Sequence, residues 1–385
     1  MRYIRTCTVN ALISVVVVTT AMLIPCVESA SASVVVRVAL PGVNSIIASN
    51  RTHTWVNWDN NSGIAELNST TGTVLWKSQD LNFVSKGTVA PFQGPFTQVS
   101  MTGSTLIVVN SSNEIEELNA SNGQPIWLTA VLMTANTMIY DIFVTSSGIW
   151  VTMNNGVALL SKANGDVIWK NDSIVAEPSA TGFSVAAWGS RAFVVTGNNG
   201  SAICELNAAN GAVVWRNGSI ATNGGISSVS VSSKHVWVGD ASQVVELNPL
   251  NGAVSWRNTA VARGQWVTKV VNDGKWLLVG DTNGIAELNS STGATVWKNV
   301  SIADRSETMV SGLNAPPLFA TSGANVLVAF APGFEHGGVA EVNLTTGRTI
   351  WRDRRIYWGM SLNGPSEVLL GVGSTLVMLS AHNGR

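Results

Sequence analysis

The stretch ELNSTTGTVLW (66–76) returns along the chain as ELNASNGQPIW (117–127), LLSKANGDVIW (159–169), ELNAANGAVVW (205–215), ELNPLNGAVSW (246–256), ELNSSTGATVW (287–297) and EVNLTTGRTIW (341–351). An eighth copy, MLSAHNGR (378–385), stops short of the tryptophan. In every copy an apolar residue precedes a glycine by five positions, and in seven the glycine precedes a tryptophan by four. Self-similarity at a fixed period marks a repeat architecture, in which each unit buries its apolar face against the next. The sequence therefore speaks more firmly about architecture than about chemistry.

Between the corners the chain reads as short strands. The fifth unit is clearest: ISSVSVSS (226–233), HVWVGD (235–240), QVVELN (243–248) and AVSWRN (253–258). Each segment is rich in β-branched or aromatic residues and bounded by Gly, Asn, Ser or Asp, the signature of successive antiparallel strands. Tryptophan-to-tryptophan spacings of 51, 42, 46, 41, 41 and 54 fit the length of a four-stranded propeller blade.

The fixed spacing has a mechanical reason. An Asn side chain caps the turn between the third and fourth strands, and glycine takes the left-handed conformation that other residues resist. The tryptophan then lands at a set height on the outer strand and buries its ring against the neighbouring blade, worth roughly 1.5–3 kcal/mol apiece. Seven repeats end near residue 352, and GMSLNG (359–364), EVLLGVG (367–373) and TLVMLSAHNG (375–384) supply three strands more. A ring must close or leave an exposed edge. The expectation is an all-β, eight-bladed propeller of four-stranded antiparallel blades, its last blade closed by the N-terminal strand 34–38.

Of 385 residues 45% are hydrophobic and 12% charged, and the formal net charge is −1. No basic stripe is present of the kind that phosphate-backbone binding needs, so nucleic acid is not an expected partner. Residues 1–32 read as an export signal: a basic start (Arg2, Arg5), an apolar run from Ala11 to Ile24, and Ala30-Ser31-Ala32 as a cleavage site. The domain organisation expected is thus 1–32 signal and 33–385 a single propeller, secreted or extracytoplasmic, with no membrane span after cleavage. Retention of 1–32 as a signal anchor is the alternative, because the apolar run approaches spanning length. With Cys7 and Cys26 in the signal, Cys204 is the one cysteine of the mature chain, so no internal disulfide forms.

The repeat resembles the tryptophan-docking motif of pyrroloquinoline-quinone-type β-propellers, the quinoprotein alcohol dehydrogenase-like superfamily, which runs roughly as A-x-D-x-x-T-G-x-x-x-W. Gly72, Gly123, Gly165, Gly211, Gly252, Gly293 and Gly347 match its glycine, and Trp76, Trp127, Trp169, Trp215, Trp256, Trp297 and Trp351 its tryptophan. The motif's aspartate is replaced by Asn68, Asn119, Asn207, Asn248, Asn289 and Asn343, and by Ser161 in one blade. The resemblance implies the propeller fold and two kinds of function. One is quinone-dependent oxidation, with pyrroloquinoline quinone held by calcium. The other is protein contact, as in the scaffold lipoprotein of the outer-membrane barrel assembly machinery, although Pro25-Cys26 does not resemble a lipidation site.

Candidate site residues follow from alternating strand direction. The connections between blades and the turns between second and third strands share one rim, while the Asn-x-x-x-Gly corners line the other. Extra length gathers in connections 78–95, 129–139, 171–181 and 299–313, and added length on a rigid scaffold is where binding usually resides. Trp266, Tyr357 and Trp358, with Arg354 and Arg355 beside them, are the ligand-binding candidates near the central mouth, suited to a planar or anionic ligand. Asp59, Asp240 and Asp281 recur at equivalent turns, where aspartate is a turn former, and do not assemble a calcium site. His53 and His235 lie on opposite blades and cannot share a metal; His336 and His382 read as solvated turn residues. Eleven Asn-x-Ser/Thr triplets arise from turn composition.

No catalytic constellation or metal site is assigned, and no cofactor is expected. The reading is an exported non-catalytic propeller that binds a protein or small ligand through its loop-bearing face. Two enzyme alternatives stay open: a quinone-dependent dehydrogenase, and a propeller lyase or hydrolase using Arg305, Glu307, Glu335 and His336.

Overall fold

The structure is a computed structural model that describes strands and turns between Val34 and Ser380. Outside the described residues lie 1–33, 79–98, 130–136, 175–184, 303–317, 331–337, 354–358 and 381–385. Shorter stretches outside it are 40–42, 51, 59–62, 110–113, 138, 198–199, 222–224, 263–266, 273, 275, 282–283, 301, 363–366 and 373–374. Among the described residues the elements are strands, arranged as eight four-stranded antiparallel sheets.

Seven sheets are blades built from four consecutive strands each. Blade one spans 43–77, blade two 99–129, blade three 139–171, blade four 185–217, blade five 226–258, blade six 267–299 and blade seven 318–353. The first strand of each lies innermost and touches first strands of neighbouring blades, and the fourth is the outer edge. The eighth sheet is made differently. Val34–Ala39, from the N-terminal end, pairs antiparallel with Thr375–Ser380, which continues to Glu367–Val372 and Gly359–Leu362. Its outer strand carries no tryptophan.

The expectation of eight blades is therefore corrected to seven blades of the tryptophan-docking kind plus a closing sheet drawn from both ends of the chain. The physical reason is that only seven outer strands carry the motif's tryptophan, six of them setting it on the next blade. At the closing sheet, contact instead runs from Gly359–Leu362 and Glu367–Val372 to the inner strand of blade one, Val43–Ser49.

Second and third strands are buried on both faces, as in Ile149–Met153 and Gly156–Leu160, because each sheet is sandwiched between two others. The core is accordingly a series of layers between blades. Ile107, Val109 and Ile115 of blade two pack with Ile142, Val151 and Leu160 of blade three. Trp150 and Leu159 of blade three pack with Val194 and Cys204 of blade four.

Each corner is built as its residues dictate. Asn68 Oδ1 accepts from the amides of Thr70 and Thr71 at 3.0 and 2.9 Å, and Gly72 has φ 69°. Every outer strand of the seven blades also carries a β-bulge just after the corner, at Leu75 in blade one, opposite Glu66 and Leu67. The extra residue stands outward, which is why Leu75, Ile126, Ile168, Val214 and Val296 are exposed.

Candidate functional site

The geometry closest to the repeat is at the seams. The ring of each tryptophan lies over the corner glycine of the following blade: Trp76 on Gly123, Trp127 on Gly165, Trp169 on Gly211, Trp215 on Gly252, Trp256 on Gly293 and Trp297 on Gly347. A methyl added at Gly123 would sit 2.5 Å from Trp76 Cε3. Glycine is thus required twice, for positive φ and for the indole above it. The indole N–H also donates across the seam, as from Trp76 to Ala120 O at 3.0 Å and from Trp297 to Leu344 O at 2.8 Å. Trp351 differs: it is buried and donates to Glu341 Oε2 of its own blade.

A second bond across the seam was not read from the sequence. Two residues after the tryptophan, Asn171, Asn217, Asn258 and Asn299 donate through Nδ2 to the carbonyls of Gly211, Gly252, Gly293 and Gly347 at 2.6–2.7 Å. Asn171, Asn217 and Asn299 head Asn-x-Ser triplets, so their amide nitrogens are already committed to the seam. The signal was present as Trp-[Lys/Arg]-Asn in four consecutive blades, but its partner lies one blade away.

The glutamate of the ELN corner is the other feature sequence reasoning passed over. It faces the tryptophan across the ladder, as in Glu66 opposite Trp76, and is buried in five blades. Its partner sits at the start of the second strand and varies by blade. Arg191 grips Glu205 through two bonds of 2.5 Å, His235 Nδ1 lies 2.6 Å from Glu246, and Asn325 donates to Glu341 at 2.7 Å. His53 is 3.8 Å from Glu66, whose carboxyl is raised above its ordinary value by burial, with His53 pulling the other way. His53 and His235 thus belong to separate carboxylate pairs and do not meet.

Of the recurring aspartates, Asp240 is buried and caps its own turn: Oδ1 accepts from the amides of Ser242 and Gln243, and Oδ2 from Gln243 Nε2. Asp281 pairs with Lys298 at 2.6 Å. Asp59 lies outside the described residues. So do Trp266, Arg354, Arg355, Tyr357 and Trp358, along with Arg305, Glu307, Glu335, His336 and His382. The five ligand-binding candidates are accordingly neither brought together nor separated by the described geometry.

Among the described residues no three His, Cys, Asp or Glu side chains cluster as metal ligands. Asp240 and Asp281 have oxygens engaged by protein donors, which does not fit a calcium-held quinone at these positions. Cys204 is buried and its thiol is pushed up to about 12, so it is no nucleophile at neutral pH. On the corner-bearing rim, Trp188 is 52% and Leu250 77% exposed. They flank the bond from Arg191 of blade four to Pro249 O of blade five. No helix among the described residues is long and apolar enough to cross a membrane.

Comparison with known proteins agrees with this geometry. The family model described as outer membrane protein assembly factor BamB matches residues 9–148, 153–220 and 200–355. No curated protein matches the sequence. The crystal structure of BamB from Moraxella catarrhalis superposes with a TM-score of 0.64 at 15% identity, covering 91% of this chain and all of that one. The computationally designed Ika8 protein gives 0.66 at 10% identity, over 89% of this chain and 98% of its own. The C-terminal WD40 domain of Sif2 gives 0.63 at 13% identity, over 91% and 98%. At these identities the solved structures speak for the β-propeller fold alone, while the repeat match extends over most of the sequence. The chain belongs to the PQQ-type repeat family of outer membrane protein assembly factor BamB.

Proposed function

We propose that this protein is an exported, non-catalytic scaffold that holds a partner protein, or a small ligand, on the rim bearing the long inter-blade connections. The family match over most of the chain is the observation that carries the reading, because the family's description is that of an assembly factor. The described chemistry points the same way: the buried carboxylates Glu205, Glu246 and Glu341 are spent on side-chain bonds that order blades, and Cys204 is inert. Residues 1–32 act in this proposal as the export signal. Trp266, Arg354, Arg355, Tyr357 and Trp358 are the proposed contact residues at the central mouth.

The test is in-cell crosslinking of the exported protein from reporter residues placed on each rim. Partner adducts concentrated in 78–95, 129–139 and 299–313 support the reading, and adducts confined to the corner-bearing rim contradict it. The proposal carries no cofactor. Dye-linked alcohol or sugar oxidation by the purified protein with pyrroloquinoline quinone and calcium would reverse it.

A further inference from the structure

Six of the seven blades guard their outer edge with a cation directly after the tryptophan: Lys77, Lys170, Arg216, Arg257, Lys298 and Arg352. Its cross-strand neighbour is small or apolar in each: Ala65, Ala158, Cys204, Val245, Ala286 and Ala340. Blade two reverses both positions at once. Leu128 replaces the cation, and Glu116 stands opposite it. Where the other blades place a positive charge beside a small residue, blade two places an aliphatic one beside a negative charge.

The exchange leaves a distinct surface. Ile126 is 51% and Leu128 53% exposed, side by side on the outer strand Pro125–Thr129. Elsewhere the cation also ties down the preceding connection: Arg257 donates to Ser219 O and Ile220 O, and Lys298 to Val261 O. Leucine makes no such bond. Burial raises the Glu116 carboxyl, and the neighbouring charge of Glu114 raises it further. Charged side chains, lysine above all, are how sheet edges discourage strand addition. The bulge is common to all seven blades, so it does not set this edge apart.

We propose that the outer edge of blade two is a docking strand for an extended, lysine- or arginine-bearing segment of a partner protein, which pairs with Pro125–Thr129, covers Ile126 and Leu128 and sets a cation against Glu116. Strand addition takes affinity from main-chain bonds and specificity from alternate side chains. The charge argues against a second copy of this chain, whose identical edge would bring carboxylate to carboxylate. This surface is on the circumference, away from the loop-bearing rim, so its test stands apart from that of the rim.

The experiment uses the exported full-length protein and two fluorescein-labelled, end-blocked peptides, one alternating Lys and Val, the other Glu and Val. Anisotropy should show saturable binding of the basic peptide and none of the acidic one, with amide protection gained at 126–128 on hydrogen exchange. Leu128→Lys and Glu116→Ala install residues that other blades already carry at these places, and Ile126→Lys provides a further edge variant. Each should weaken binding by about tenfold or more while melting within a few degrees of the parent. Three results overturn the proposal: no binding by the parent, equal binding by Leu128→Lys, or protection away from blade two. Self-association of the parent that Leu128→Lys abolishes would likewise overturn it, assigning the edge to a second copy.

Discussion

The seams between blades three and seven differ from the two that precede them. From blade three to blade seven every seam is pinned twice, by an indole over glycine and by an asparagine amide on that glycine's carbonyl. From blade one to two and from two to three the asparagine bond is absent, because Ser78 and Thr129 stand where the asparagine would be, and Trp55 of blade one adds its own indole bond to Ala120 O at 2.9 Å. Ser78 Oγ is buried there without a partner. The indole pin is thus the part all six seams from blade one to blade seven keep, and the asparagine is a reinforcement the first blades lack. Blade two, flanked by both seams that lack the asparagine, is also where Leu128 and Glu116 break the pattern. A repeat protein shows its special places as departures from its own rule.

Breaking the shared pin should have the largest effect. Gly123→Ala and Gly211→Ala each force an alanine into positive φ beneath an indole. Left-handed strain of about 1–2 kcal/mol adds to overpacking of about 1–3 kcal/mol. Denaturant unfolding should therefore show losses of several kcal/mol for both, with Gly123→Ala the more damaging because no asparagine supports that seam.

The second pin separates the two regions more finely. Asn217→Ala should cost about 1 kcal/mol, the net worth of one hydrogen bond plus an orphaned carbonyl. Ser78→Asn offers the converse, a gain of up to about 1 kcal/mol if the amide reaches Gly123 O. Urea midpoints of the two variants decide whether the seams differ as described.

Much of this was legible in the sequence, and the rest was hidden for a physical reason. The corner, the left-handed glycine and the tryptophan lie within eleven residues, so local turn chemistry exposes them. That strand 34–38 joins the last strands of the chain came from counting strands against the need to close a ring; the pairing is there, but in a closing sheet and not in an eighth blade of the tryptophan-docking kind. The Asn217 to Gly252 bond joins residues 35 apart, and the second reason for glycine at Gly123 is a ring from another blade. The ELN glutamate looked like a polar strand residue, because its partner changes along the chain from His53 to Arg191, back to histidine at His235, and to Asn325.

Acid should report on Glu66. Its folded-state pKa is raised, so the stability linked to its protonated form is complete below the ordinary value of 4.5 and is lost as pH climbs through the raised value. Glu66→Gln should remove that dependence and raise stability slightly at neutral pH, as read from Tm against pH between 4 and 7. In blade four the partner responds instead: Arg191 is raised by its bond to Glu205, so the guanidinium stays charged throughout that range.

The smallest effect concerns Cys204. With its thiol pushed up to about 12, labelling by iodoacetamide at neutral pH should be negligible in the native protein and should appear only as denaturant opens blade four. Fast labelling without denaturant would show that the seam between blades three and four is looser than its double pin implies.

The account rests on a ring of pinned sheets clasped by a strand from the far end of the chain. The most direct test compares thermal unfolding of a chain beginning at Val34 with one beginning at Val43, each carrying the rest of the protein through residue 385. The account expects a sharply lower Tm and an exposed, aggregation-prone edge at Thr375–Ser380 in the shorter chain. Equal melting temperatures would contradict it.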